Sequence, residues 1–317
     1  MSRDPFDVGL DVGLDPDLVP DPADELGLLG DAVAENAPPL RAPIMAQVRA
    51  RPRQRPAPFG AVESVASVID DLGALLATLS PAEWAATHAL GDLSVRDTVS
   101  HLTGADLYLG VKVGAWPGTI PADESDHFAT TGGAIEEGCR LSDAQLLARW
   151  RRIADGLVVH LRAIDDTRLG EASRYCMIEG PLHAILIARA FEMWTHTEDI
   201  CRAAGRPCRP PRTEVLAAMT DIAAELVPLG YALEPANRPS TATLRLVLTG
   251  AGGGTWDRNL SAGLPAGEPD IVLVADTVEF CRLVAMRLAP SEIDCDIIGD
   301  EALGELVLAG CTKFAMD

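Results

Sequence analysis

Glu192 and His196 stand four residues apart in the run Arg189-Ala-Phe-Glu-Met-Trp-Thr-His-Thr-Glu-Asp199. On a helix that spacing projects both side chains from one face, one turn apart. A carboxylate and an imidazole so placed are two of the three protein ligands that a catalytic zinc-type centre takes, its fourth position being left open for chemistry. Alone, a Glu-x-x-x-His pair is also what an exposed polar helix face shows. Here Ile185, Leu186, Ile187, Met193 and Trp194 leave little solvated face, so the helix reads as buried on most sides and its polar groups need partners. Arg189 and Asp199 extend the same stripe. Asp199, one turn beyond His196, is placed to accept the second imidazole N–H and fix its tautomer.

A third ligand is required, and His101 is the candidate. It lies mid-helix between Val99 and Leu102, where the alternative is a hydrogen-bonded core histidine. His88 and His127 fall in expected loops, and His160 and His183 have no second ligand four residues on.

The elements that must carry these residues follow from apolar periodicity and its punctuation. From Gly60 the pattern is helical. The first helix spans residues 61–79 and ends at Ser80-Pro81, and the second starts at Ser94, which with Asp97 forms a capping-box pattern, and runs to about residue 113. A polar, Gly-containing stretch to Leu141 reads as a long loop. Ser142 caps a third helix extending to about residue 164, and a fourth follows Gly180-Pro181 and stops at Gly205-Arg206-Pro207. Four long helices make a bundle. A fifth helix over about 213–229 leads to strands over 241–249 and 270–275 and helices over 278–288 and 301–308. The turn Gly250-Ala-Gly-Gly-Gly lacks the Lys-Ser/Thr ending of a phosphate cradle and reads as a hairpin turn. The fold class expected is therefore α+β and multidomain, with an extension over 1–58, a helical bundle over 59–207 and a small α/β domain over 208–317.

Residues 1–58 carry ten acids against one Arg before Asn36, then a Pro-rich run with scattered Arg. Such a segment lacks the apolar density that offsets chain entropy, apart from one short helix over 23–33. Its Asp spacing lacks the ligand order and closing Glu of an EF-hand. The whole chain is 48% hydrophobic and, at 317 residues, long enough for two cores. A formal charge of -21 argues against nucleic acid, whose phosphates need a basic footprint not found outside Arg49 to Arg55, and any anionic substrate would require a local Arg. No apolar run approaches the roughly 18 to 20 residues of a membrane span, and acids stand where a secretory signal needs an apolar core. Seven cysteines, an odd number without a C-x-x-C pair, are expected as free thiols, and the chain as cytoplasmic. Two of the 26 basic residues are Lys, the bias of a GC-rich genome.

The segment Leu93-Ser-Val-Arg-Asp-Thr-Val-Ser-His101-Leu, together with Arg189-Ala-Phe-Glu192-Met-Trp-Thr-His196-Thr-Glu-Asp199-Ile and Ala203-Ala-Gly-Arg-Pro207, resembles the mycothiol-dependent maleylpyruvate isomerase family. The resemblance covers about residues 60–317. It implies a DinB-like four-helix bundle with a His, Glu, His metal site, here His101, Glu192 and His196, followed by a sterol-carrier-like α/β domain. It also implies a basic residue in the second domain, for which Arg282 and Arg287 are candidates. Leu93 stands where the family often has Trp, and the acidic extension is not part of its usual pattern. Arg189, Asp199 and Arg287 are the candidate catalytic residues.

The function so implied is a metal-dependent, thiol-using isomerase or S-transferase. A divalent metal, with zinc expected and nickel, cobalt or iron also suited to such ligands, would lower the pKa of mycothiol as thiol cosubstrate. The thiolate would attack a small electrophile, either adding and leaving again to isomerise a double bond or staying attached. Two other readings remain at this level: a metal-dependent hydrolase or lyase without thiol, and a metal- or ligand-binding regulatory protein with an acidic interaction tail. Expected partners are small molecules, with no nucleic acid and no membrane, in a monomer or homodimer.

Overall fold

A computed structural model of the chain describes residues 57–87, 93–120, 127–175, 178–234, 239, 241–260 and 269–314. The extension up to residue 56, with the short helix expected over 23–33, and Cys176 and His88 lie outside the described residues.

The chain from Gly60 builds α1 (Ala61–Leu76), a short α2 (Pro81–Trp84), α3 (Val95–Val113), α4 (His127–Gly138), α5 (Asp143–Leu161) and a short α6 (Asp166–Gly170). A hairpin of β1 (Ala172–Tyr175) and β2 (Ile178–Pro181) leads into α7 (Leu182–Ala203). The long helices α1, α3, α5 and α7 share one core, including Ile69, Leu72, Val99, Leu102, Trp150, Leu157, Leu186 and Met193. The starts of α3 and α5 are the expected ones. Ser94 accepts from the Asp97 N–H while Asp97 accepts from the Ser94 N–H, and Ser142 with Gln145 repeats the device.

The expected long loop before Leu141 is corrected: residues 127–138 form α4. Paired glycines and a thin apolar pattern conceal it in the sequence, and docking produces it. Gly104 of α3 lets the two helices approach so closely that a Cβ there would stand 2.9 Å from the Thr131 Cα. Arg96 of α3 donates to the carbonyls of Gly138 and Leu141 and pairs with Asp143, so the far end of α4 is tied down as well.

After α7 come α8 (Thr213–Ala232), β3 (Thr243–Thr249), β4 (Gly254–Asn259), β5 (Ile271–Asp276), α9 (Thr277–Val284), β6 (Cys295–Gly299) and α10 (Glu301–Cys311), with a 3-10 turn over Thr312–Phe314. The sheet order is β4-β3-β5-β6, in which β3 pairs parallel with β5 and the outer pairings are antiparallel. Gly250 and Gly252, both at positive φ, close the β3–β4 hairpin as expected. Strands β4 and β6 and the β1–β2 hairpin are additions to the sequence reading. The helix expected over 278–288 stops at Val284, where Met286 at φ 56 makes the left-handed turn that ends it.

Helix α8 belongs to both cores. Val215, Ala218 and Met219 pack with the bundle, whereas Ala223, Ala224, Val227 and Tyr231 pack with Leu244, Leu246 and Leu273 of the sheet. Its length and apolar composition alone would suit a membrane span, but most of it is buried inside the protein. The boundary expected at residue 207 thus falls just ahead of a helix common to the two cores. The architecture is a helical bundle followed by a small α/β domain.

Candidate metal centre

Helices α3 and α7 bring His101, Glu192 and His196 together, with one ligand-type atom of each lying within 4.8 Å of the others. The His101 Nε2 stands 3.4 Å from Glu192 Oε1, and the two imidazole centroids are 5.2 Å apart. Two ligands at 2.0–2.1 Å from a tetrahedral zinc are themselves roughly 3.3 Å apart. The observed spacing therefore fits a shared cation. Side-chain exposures of 4%, 16% and 10% for His101, Glu192 and His196 make Glu192 and His196 the more accessible of the three.

Each donor is held from behind. The His101 Nδ1 lies 3.2 Å from Thr131 Oγ1 of α4, so the tautomer with hydrogen on Nδ1 can donate to the hydroxyl and leave Nε2, which faces Glu192, for a ligand role. The Arg189 Nη1 is 3.4 Å from Glu192 Oε2, which leaves Oε1 directed at His101. His196 Nδ1 is 3.3 Å from Asp199 Oδ2, so its Nε2 is the atom left for a ligand role.

These backing groups are anchored in turn. Arg189 is fully buried, donates through Nε and Nη2 to Asp106 Oδ1 at 3.1 and 2.8 Å, and through Nη2 to the Leu102 carbonyl at 3.1 Å. Burial opposes its charge, but the carboxylates of Asp106 and Glu192 outweigh burial and hold the guanidinium protonated. Asp199 is also fully buried. Burial alone would raise its pKa, yet hydrogen bonds from His196 and Arg287 overcome it and hold the carboxyl far below its ordinary range.

Arg287 comes from the turn after α9 in the α/β domain and donates to Asp199 through Nε at 3.1 Å and Nη2 at 2.7 Å. Arg282, on α9 itself, makes the matching contact with Glu198 at 2.6 Å. Two arginines of the second domain thus grip two successive acids of α7. Of the second-domain candidates, Arg287 reaches the cluster through Asp199, whereas Arg282 pairs one residue away.

Among the other histidines, His160 Nε2 contacts the Val113 carbonyl and His183 Nδ1 the Leu169 carbonyl, both remote from the cluster in the chain's contacts. Thr131 is the residue that sequence reasoning missed. A threonine carries no ligand signature, and its helix was not evident.

A mixed bundle and α/β fold with a two-histidine, one-glutamate cluster at the bundle's centre defines the class. Residues 65–201 match the family model described as mycothiol maleylpyruvate isomerase N-terminal domain. The match covers the bundle that carries His101, Glu192 and His196. Crystal structures of the mycothiol-dependent maleylpyruvate isomerase and of one of its His-to-Ala mutants share the fold. Both give a TM-score of 0.50, at 15% and 14% identity, over 74% of this chain and 91% of theirs. Two uncharacterized proteins of Mycobacterium tuberculosis, from strains H37Rv and CDC 1551, are each 25% identical over 259 residues, which is 80% of this chain and 95% of theirs.

Proposed function

We propose that this chain is a metal-dependent enzyme that uses a low-molecular-weight thiol, mycothiol by analogy with the matched domain family, either to isomerise a small electrophile or to transfer the thiol to it. The observation that carries the reading is the convergence of His101, Glu192 and His196 within 4.8 Å inside the domain that the family model matches. Two neutral imidazoles and one carboxylate are a donor set that suits zinc and other borderline divalent ions. Bound there, the metal supplies the Lewis acidity that makes a thiol nucleophilic at neutral pH.

The chain's own residues do the rest by position. Thr131 and Asp199 keep the Nδ1 protons of His101 and His196 in place, so both rings present Nε2. Arg189 and Arg287 are positioning residues in this reading, the first acting through Glu192 and the second through Asp199. Both are buried, so neither is offered as the group that touches substrate.

The test is metal analysis of the purified chain, followed by turnover of electrophilic acceptors with and without added thiol. His196→Ala and Glu192→Ala are expected to lose both the bound metal and the thiol-dependent turnover. Turnover that persists in either variant, or that is indifferent to thiol, would overturn the reading.

A further inference from the structure

A cleft of about 510 Å3 opens where the end of α3 meets α6 and the β1–β2 hairpin. Its lining includes Lys112 in the last turn of α3, Arg168 in the last turn of α6, Arg174 on β1, Glu179 on β2, and Ile120. Lys112 follows His101 by eleven residues of α3, and α7 begins at Leu182, ten residues before Glu192. At the rise of an α-helix these separations are roughly 16 and 15 Å along the two axes, so the cleft is distinct from the metal centre.

A cation in the last turn of α3 or of α6 suits that helix end by itself, because the last carbonyls carry partial negative charge. Arg174, on a hairpin, has no helix end to serve. The three nevertheless open on one space, and among the described residues Glu179 is the one acid in its lining. On a chain of formal charge -21 most of the surface repels anions, so a cationic hollow is where an anion collects.

Two carboxylates already hold the arginines. Arg168 Nη1 is 2.5 Å from Glu171 Oε2, and Arg174 Nη1 is 3.3 Å from Glu179 Oε1. The acids are 53% and 70% exposed, and exposed pairs of this kind hold weakly. A ligand carboxylate would offer only what Glu171 and Glu179 offer, and would gain little by the exchange. A phosphate group brings close to two charges and three acceptor oxygens to one point, and so competes with both.

We propose that this cleft binds the phosphate group of a small soluble phosphate ester. The volume exceeds what a bare phosphate fills and falls in the range of small-molecule sites. Ile120, 37% exposed, gives an apolar wall for the body of the ester. Phosphate on a lipid surface is the poorer source, because an anionic membrane repels a chain of this charge. The inference does not depend on the metal or on the thiol cosubstrate.

The test is titration calorimetry of the full-length protein at fixed ionic strength, with glycerol phosphate as the probe and acetate and succinate as carboxylate controls. Binding is expected for glycerol phosphate and for neither carboxylate. Lys112→Gln and Arg174→Gln should each weaken it about tenfold, the worth of one charge-assisted contact. Arg245→Gln, which removes a cation paired with Asp257 on the sheet, should leave it unchanged. Glu192→Ala, with the metal centre broken, should bind as the unsubstituted protein does. In sedimentation with vesicles containing phosphatidate, the protein should stay in the supernatant. The proposal is overturned by absence of glycerol phosphate binding, by equal affinity for succinate, by undiminished affinity in both cleft variants, by loss in Glu192→Ala, or by co-sedimentation with the vesicles. The contrast between phosphate and carboxylate in the unsubstituted protein decides the matter even where a variant fails to fold.

Discussion

Thr131 Oγ1 lies 3.2 Å from His101 Nδ1, and the two residues, 30 apart in the chain, belong to neighbouring helices. Thr131 is fully buried, so no solvent competes for that contact. Groups that orient a metal-binding histidine are worth roughly 10- to 100-fold in metal affinity when removed. Thr131→Val keeps the shape and deletes the acceptor, and is expected to weaken zinc binding by about that factor. Thr131→Ser should restore most of it. A competition titration with a chromophoric chelator reads both, and equal affinities for Val and Ser would show that the hydroxyl has no such role.

Asp199 should behave likewise on the other imidazole. Asp199→Asn keeps an acceptor oxygen but removes the charge that Arg287 faces, so both metal affinity and thermal stability should fall. Arg287→Met leaves Asp199 buried with one strong donor fewer, and breaking such a pair typically costs about 3–5 kcal/mol. Thermal melts of metal-free protein measure the stability effect separately from the binding effect. Unchanged melts for Arg287→Met would refute the clamp.

Gly104 tests whether α4 matters to the site. An added methyl would meet the Thr131 Cα at 2.9 Å and the Ala134 Cβ at 3.1 Å, so α4 must retreat. Gly104→Ala is expected to destabilise by about 1–3 kcal/mol, as overpacking does, and to lower metal affinity because Thr131 moves with its helix. Full metal affinity in a destabilised variant would mean that α4 shifts without carrying Thr131 away.

At the surface, Glu83 carries a pH dependence whose sign is fixed by its partners. Hydrogen bonds from Arg206, and then from the Ser80 hydroxyl and N–H, hold its carboxyl at about 2 instead of 4.5. A folded value below the unfolded one means stability that is complete above 4.5 and is lost as pH falls toward about 2. The wild type should therefore melt above Glu83→Gln at neutral pH, with the difference closing across that acid window. A difference independent of pH would assign the effect to packing instead.

The helices that carry the proposed ligands were legible because their punctuation is strong. Ser94 with Asp97, Ser142 with Gln145, and Gly205 before Pro207 each supply a backbone partner that a helix end otherwise lacks, and all three operate in the structure. The Glu192–His196 pair was legible once its spacing was set against the apolar residues around it and the resemblance to a known family. Helix α4 was not, because Gly132 and Gly133 and β-branched Thr130 and Thr131 have poor intrinsic propensity and its packing on α3 decides the outcome. Strands β4 and β6 escaped for a related reason. Each is only five or six residues long and carries polar groups, as an outer strand of a small sheet does. Arg287 could be nominated but not paired, since nothing local relates it to Asp199, 88 residues away.

The grip of Arg282 and Arg287 on Glu198 and Asp199 bears on how the protein can be cut. A fragment ending near residue 207 would keep Glu198 without Arg282 and Asp199 with Arg202 but not Arg287, and would lose the apolar cover of α8. Joining the bundle to another α/β partner would require that partner to bring a cation to each of the two acids.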